Sequence, residues 1–246
     1  MTTRTGRDEP PRAAHPSGDP GTGPAPHRQP GPRESTWRIP VALVVLSVVP
    51  VVAGSLRLLE VGGGPQLLPT NPRIDAFPAP VVVHIVAAAL YALLGAFQFS
   101  ARLRRRRPGW HRTAGRVLVG AGLVVAVSAL WLTLAYPGAP GGDLLWAIRL
   151  LVGSAMAAGI VLGFTAIRRR DIAAHRAWMI RAYALAVGAG TQVFTQSVGE
   201  AVFGTSELST ALSVSSGWVL NAAVAEWVIR RPSARRGRTR AALAGS

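Results

Sequence analysis

Two histidine-arginine pairs are the residues most able to do chemistry: His111-Arg112 and His175-Arg176, which lie 64 positions apart. Each pair stands just ahead of a long apolar run. Neutral imidazole is a standard axial ligand of haem iron, and two histidines on neighbouring helices can clamp one haem b. Arg112, Arg116, Arg176 and Arg181 then offer guanidinium forks to the haem propionates. The same pairs also suit a plainer task at a membrane boundary, where they contact lipid phosphate or cap a helix.

A second constellation is polar and lies within apolar sequence. His84 follows Pro80 by one helical turn, inside the run from Val81 to Leu94. An ionisable group at membrane depth must find a partner or water, which makes it a functional candidate by default. Arg149 falls in the same layer, with Glu200, Asp75 or Asp143 as its expected partners. Gln192, Gln196 and Glu200 recur every fourth residue and so share one helical face, which Gly188 continues. These residues either line a polar pocket, with His84 and Arg149 in reach, or hydrogen-bond between helices as packing glue.

Helices must position both sets, and the sequence predicts membrane-spanning ones. Six apolar runs, Ile39–Leu59, Ala79–Phe99, Val117–Tyr136, Leu144–Ile167, Ala182–Phe203 and Leu208–Ile229, fill most of the chain from 39 to 229. Each is close to the ~20 residues needed to cross ~30 Å of hydrocarbon. Of the 246 residues 49% are hydrophobic and only 15% charged, against about 25% charged in an average soluble domain. The expected fold is all-α, a polytopic six-helix transmembrane bundle.

The net charge of +16 comes from 27 basic residues, all of them Arg, against 11 acidic ones. Twenty-four of these arginines fall in residues 1–38, in the loops 102–116 and 168–181, and from Arg230 onward, flanking alternate ends of the runs. Positive charge stays inside during insertion, so both termini are expected in the cytoplasm of a bacterial inner membrane. This topology, with attraction to anionic lipid headgroups, accounts for the basicity without nucleic acid. The expected partners are the anionic bilayer and, beyond it, a second copy of the chain or another membrane protein. Cys is absent, which excludes disulfides and thiolate metal sites. No phosphate-cradling loop, HExxH or nucleophile elbow is found either.

Residues 1–36 are rich in Pro, Gly and Arg and are expected to be a disordered cytoplasmic tail, as is the basic stretch 231–246. His15 and His27 fall in the first tail and carry no assigned role. The spans lie between the tails, over 37–230. Within them, Leu103-Arg104-Arg105-Arg106 followed by His111-Arg112 matches Ile167-Arg168-Arg169-Arg170 followed by His175-Arg176, and Gly95 matches Gly159 on the same offset. The match predicts a tandem helix–loop–helix repeat about an axis along the membrane normal.

His84, Gly95-x2-Gln98-Phe99, His111-Arg112-x2-Gly115-Arg116 and His175-Arg176-x-Trp178-Met179-Ile180-Arg181 together resemble the bacterial membrane family named domain of unknown function 2306. The resemblance covers roughly residues 40–200 and implies a multi-span inner-membrane protein, with no established activity or substrate. A fainter similarity links the chain to two-haem cytochrome b561-like bundles. An outer haem would there need a histidine opposite His84, where this sequence has Arg149, so only the His111–His175 site is complete. The functional expectation is an integral inner-membrane protein of uncharacterised function, and the sharpest reading attached to it is a redox protein holding one haem b. The alternatives are a small-solute binder or transporter built on His84, Arg149, Gln192, Gln196 and Glu200, or a non-catalytic component that binds lipid or a partner.

Overall fold

The computed structural model describes residues 2, 37–72, 77–136, 138 and 140–231. The expected tails, His15, His27 and Asp75 therefore lie outside the described residues, apart from Thr2 and Arg231 at the edges of the tails. Eight helices and no strand are found among the described residues: α1 (Arg38–Val61), α2 (Ala79–Gln98), α3 (Ala101–Arg106), α4 (Pro108–Ala135), α5 (Gly142–Arg168), α6 (Ile172–Ala186), α7 (Gly188–Phe203) and α8 (Glu207–Arg230). The starts carry local signals. Pro opens α2 and α4, where its missing N–H costs nothing, and the side chains of Ser100, Asp171 and Ser206 accept from the first turns of α3, α6 and α8.

Five helices (α1, α2, α4, α5 and α8) are long and apolar enough to cross a membrane. The expected fifth run, Ala182–Phe203, is not one continuous helix. It is divided at Val187 between α6 and α7. The break coincides with Gly188-Ala189-Gly190, where helix propensity is low. Both glycines are held by neighbours: a Cβ on Gly188 would meet the Trp218 ring, and one on Gly190 would meet the backbone carbonyl of Leu46. Asn221 of α8 mends the interrupted ladder, donating from Nδ2 to the Ala184 carbonyl at 3.0 Å and accepting from Thr191 Oγ1 at 2.8 Å.

The two sequence repeats become α2–α3–α4 and α5–α6, each a pair of packed helices joined at the arginine-rich end. The largest buried cluster draws on all four long members: Ala87 and Tyr91 from α2, Leu118, Val125 and Ala126 from α4, Met156 and Ile160 from α5, and Ala182 and Tyr183 from α6. Small residues let the helices close on these side chains. Gly95 faces the Tyr183 ring and Gly122 the Tyr91 ring, while Gly159 and Gly163 seat α5 against Ala182, Trp178 and Met179 of α6. That last contact is the close approach expected of a Gly-x3-Gly spacing.

The connections between paired helices differ. The first contains α3, whereas the second is a tight turn in which Arg170 N–H donates to Ile167 and Asp171 N–H to Ala166. Arg170 adopts φ 63°, the left-handed conformation that glycine fills without cost at a helix C-terminus. Arg170→Gly is expected to stabilise the fold by up to about 1 kcal/mol. The check is the thermal midpoint in detergent; a lowered midpoint would mean that the arginine side chain contributes more than its backbone costs.

Candidate functional site at the arginine-rich end of the bundle

His111 sits in the first turn of α4 and His175 in the first turn of α6, both half-buried. They occupy the same end of the bundle, and His111 lies within electrostatic reach of both His175 and Arg104. His175 Nδ1 stands 2.8 Å from the carbonyl oxygen of Gly163 on α5. A carbonyl can only accept, so the ring hydrogen resides on Nδ1 and Nε2 keeps its lone pair. Metal-ligating histidines are typically held this way, with the second ring nitrogen donating to a carbonyl.

His111 presents the complementary problem. Its Nδ1 is buried with no hydrogen-bond partner, and the same is true of Gln98 Nε2 at the end of α2. The register of α2 against α4 relates these two residues. His84 of α2 bonds Ser128 of α4, and Tyr91 packs at Gly122. Seven residues further along α2, Gln98 falls opposite Gly115, one turn from His111. Gln98 stood in the sequence as part of a Gly-x2-Gln-Phe motif but was not among the candidate site residues. The signal that finds it is its heptad spacing from His84 and Tyr91, which puts all three on the α4-facing side.

The arginines divide by role. Arg112, Arg116 and Arg176 are exposed beside the histidines. Arg181, expected to serve the same group, is instead committed to Glu226 of α8, with Nε to Oε1 at 2.6 Å and Nη2 to Oε2 at 3.2 Å, and its guanidinium lies over the Trp178 ring. Arg230 joins from 3.5 Å, closing a three-charge contact between α6 and α8. Directly inward of the histidines, Phe99, Tyr183 and Tyr91 form a ring layer with centroids 5.0 and 5.8 Å apart, anchored by Tyr183 Oη donating to the Ala92 carbonyl at 2.6 Å.

The second constellation is spread out. His84 Nδ1 is 2.9 Å from Ser128 Oγ, between α2 and α4. Because Ser128 Oγ donates to the Val124 carbonyl at 2.6 Å, it accepts from His84. Gln192 packs at Gly217 of α8, with its Nε2 buried and unpartnered. Gln196 donates to Glu200 at 3.2 Å on the exposed side of α7. Arg149 is half-buried on α5. Among the described residues no hydrogen bond joins His84 to the α7 stripe.

The donor types at the arginine-rich end, two imidazoles and exposed guanidinium groups, are those a haem takes. One imidazole has its Nε2 lone pair fixed by a carbonyl, the second has a buried ring nitrogen without a partner, and free guanidinium forks flank both. Among the described residues no cluster of three or more carboxylate, histidine or cysteine side chains offers a metal-ion site.

No curated protein and no solved structure matches the chain. A family model described as a predicted membrane protein, DUF2306, matches residues 81–229, more than half the sequence and the whole stretch that carries His84, Gln98, His111 and His175. With both basic loops and the paired histidines inside that match, the chain belongs to the DUF2306 family of predicted membrane proteins.

Proposed function

We propose that this chain is a bacterial inner-membrane redox protein that holds one b-type haem between His111 and His175. The observation that carries the reading is the hydrogen bond from His175 Nδ1 to the Gly163 carbonyl at 2.8 Å, which leaves the Nε2 lone pair of the neutral ring available to a ligand. His111 and His175 would hold the haem, and Arg112 and Arg176 would meet its propionates. Haem supplies reversible one-electron chemistry when bound. The chain supplies orientation, through Gly163, and a water-poor inner wall, through Phe99, Tyr183 and Tyr91. The test is the visible spectrum of detergent-purified protein, expressed with haem precursor and reduced with dithionite. A Soret band that shifts on reduction, with a resolved α band, supports the reading. A featureless spectrum from folded protein overturns it.

The proposed orientation puts the arginine-rich end in the cytoplasm against anionic headgroups. It is supported by the Arg asymmetry and by the stacking of Arg231 on Trp227 and of Arg181 on Trp178, pairings suited to the membrane interface. A C-terminal reporter that is active only in the cytoplasm should be active on this chain. Activity only from a periplasmic reporter at the same place would reverse the orientation.

A further inference from the structure

We infer that Arg181 and Arg230, gathered on Glu226 where α6 meets α8, form a discrete site for the phosphate of one anionic phospholipid. The site rests on the placement of this end at a membrane surface, as proposed above, and is independent of the haem.

The first observation is the balance of charge. Arg181 Nε meets Glu226 Oε1 at 2.6 Å, its Nη2 meets Oε2 at 3.2 Å, and Arg230 Nε approaches the same Oε2 at 3.5 Å. Two guanidinium groups share one carboxylate, which leaves one positive charge unbalanced. A phosphodiester carries one negative charge, so a single lipid phosphate completes the set. Donors remain for it: among the described residues, Arg181 Nη1 and both Nη groups of Arg230 have no protein partner. The Arg230 side chain is 79% exposed and held only through Nε, so its outer fork is presented to the surroundings. Parallel N–H donors of this kind suit phosphate oxygens.

The second observation is depth. The Arg181 guanidinium lies 4.8 Å from the centroid of the Trp178 ring, and Arg231, next after Arg230, lies 3.3 Å from that of Trp227. Tryptophan rings collect at headgroup level, which is the level of lipid phosphate.

The third is the surface that adjoins the charges. Leu212, Val219, Ala223, Glu226 and Arg230 recur at helical spacing and share one face of α8. Leu212, Val219 and Ala223 are exposed. One face therefore offers an apolar track for an acyl chain and, at its end, cations for a phosphate. A phospholipid uses both parts. A free anion or an acidic soluble protein would engage the charges and leave the track uncovered.

The test uses the full chain in detergent micelles doped with phosphatidylglycerol or with phosphatidylcholine, whose choline already balances its phosphate. Native mass spectrometry counts the lipids retained per chain. The expected result is one phosphatidylglycerol retained in preference to phosphatidylcholine, with retention about 5-fold weaker in Arg230→Gln and unchanged in Arg105→Gln on α3. Arg181→Gln is expected to lose as much; should it fail to fold, Arg230→Gln, at an exposed side chain, decides alone. Equal losses in Arg105→Gln and Arg230→Gln, or no loss in Arg230→Gln, overturn the discrete site. Displacement of the lipid by an equal concentration of inorganic phosphate assigns the pair to a free anion and overturns it too. A dimer that Arg230→Gln disperses, with no lipid retained, assigns the face to a second copy of the chain, with the same consequence. The readout needs neither haem nor a cell membrane, so a featureless haem spectrum or a reversed reporter leaves it to decide on its own.

Discussion

Replacing His175 with Ala is expected to eliminate the haem absorbance of the purified protein, and His111→Ala to do the same. An axial ligand contributes both an iron–nitrogen bond and the alignment of the porphyrin, so its loss removes more than the 10–100-fold affected by outer-shell changes. His84→Ala is the matched control. His84 is bonded to Ser128 at 2.9 Å between α2 and α4, away from the arginine-rich end, so its removal should leave the Soret band unchanged. Full absorbance in His175→Ala, with the protein monodisperse, would show that the pair does not hold the group. Equal loss in all three variants would instead point to a general failure to fold.

The second large effect is expected at Gly190. Pro50 lies inside α1 and has no N–H, so the carbonyl four residues earlier, that of Leu46, is left without its in-helix donor. That carbonyl faces Gly190, where even a single Cβ would collide with it. A side chain could rotate away from such a clash, but a backbone oxygen held by its own helix cannot. Gly190→Ala should therefore destabilise the protein by about 1–3 kcal/mol, the range for overpacking a closed contact. The measurement is the midpoint of thermal or denaturant unfolding in a fixed detergent. Gly120→Ala in α4, where nothing lies within contact of an added Cβ, should be neutral or slightly stabilising. Equal midpoints for the two variants would mean that α1 is not packed against α7 through this contact.

The sequence by itself determined that the chain is a helical membrane protein. Apolar runs of spanning length, and arginines confined to alternate ends of those runs, reflect the cost of placing charge and unpaired backbone in hydrocarbon, and that cost acts on local sequence. The repeat and its two histidines were legible for the same reason, since both lie in short stretches at one offset. The close approach at Gly159 and Gly163 also followed from spacing alone.

Tertiary packing decided the rest, because each remaining feature depends on what a distant helix presents. The run Ala182–Phe203 reads as continuous apolar sequence, yet it divides at Val187, where Trp218, Leu46 and Asn221 from two other helices engage it. Arg181 looks like Arg176 in sequence but is claimed by Glu226, 45 residues away. The polar stripe on α7 has helical spacing, but it divides: Gln192 turns towards Gly217 of α8, while Gln196 and Glu200 bond each other on the exposed side. Hydropathy fixes which segments enter the bilayer; hydrogen bonds and close contacts between helices, which no single segment encodes, fix which polar groups meet there.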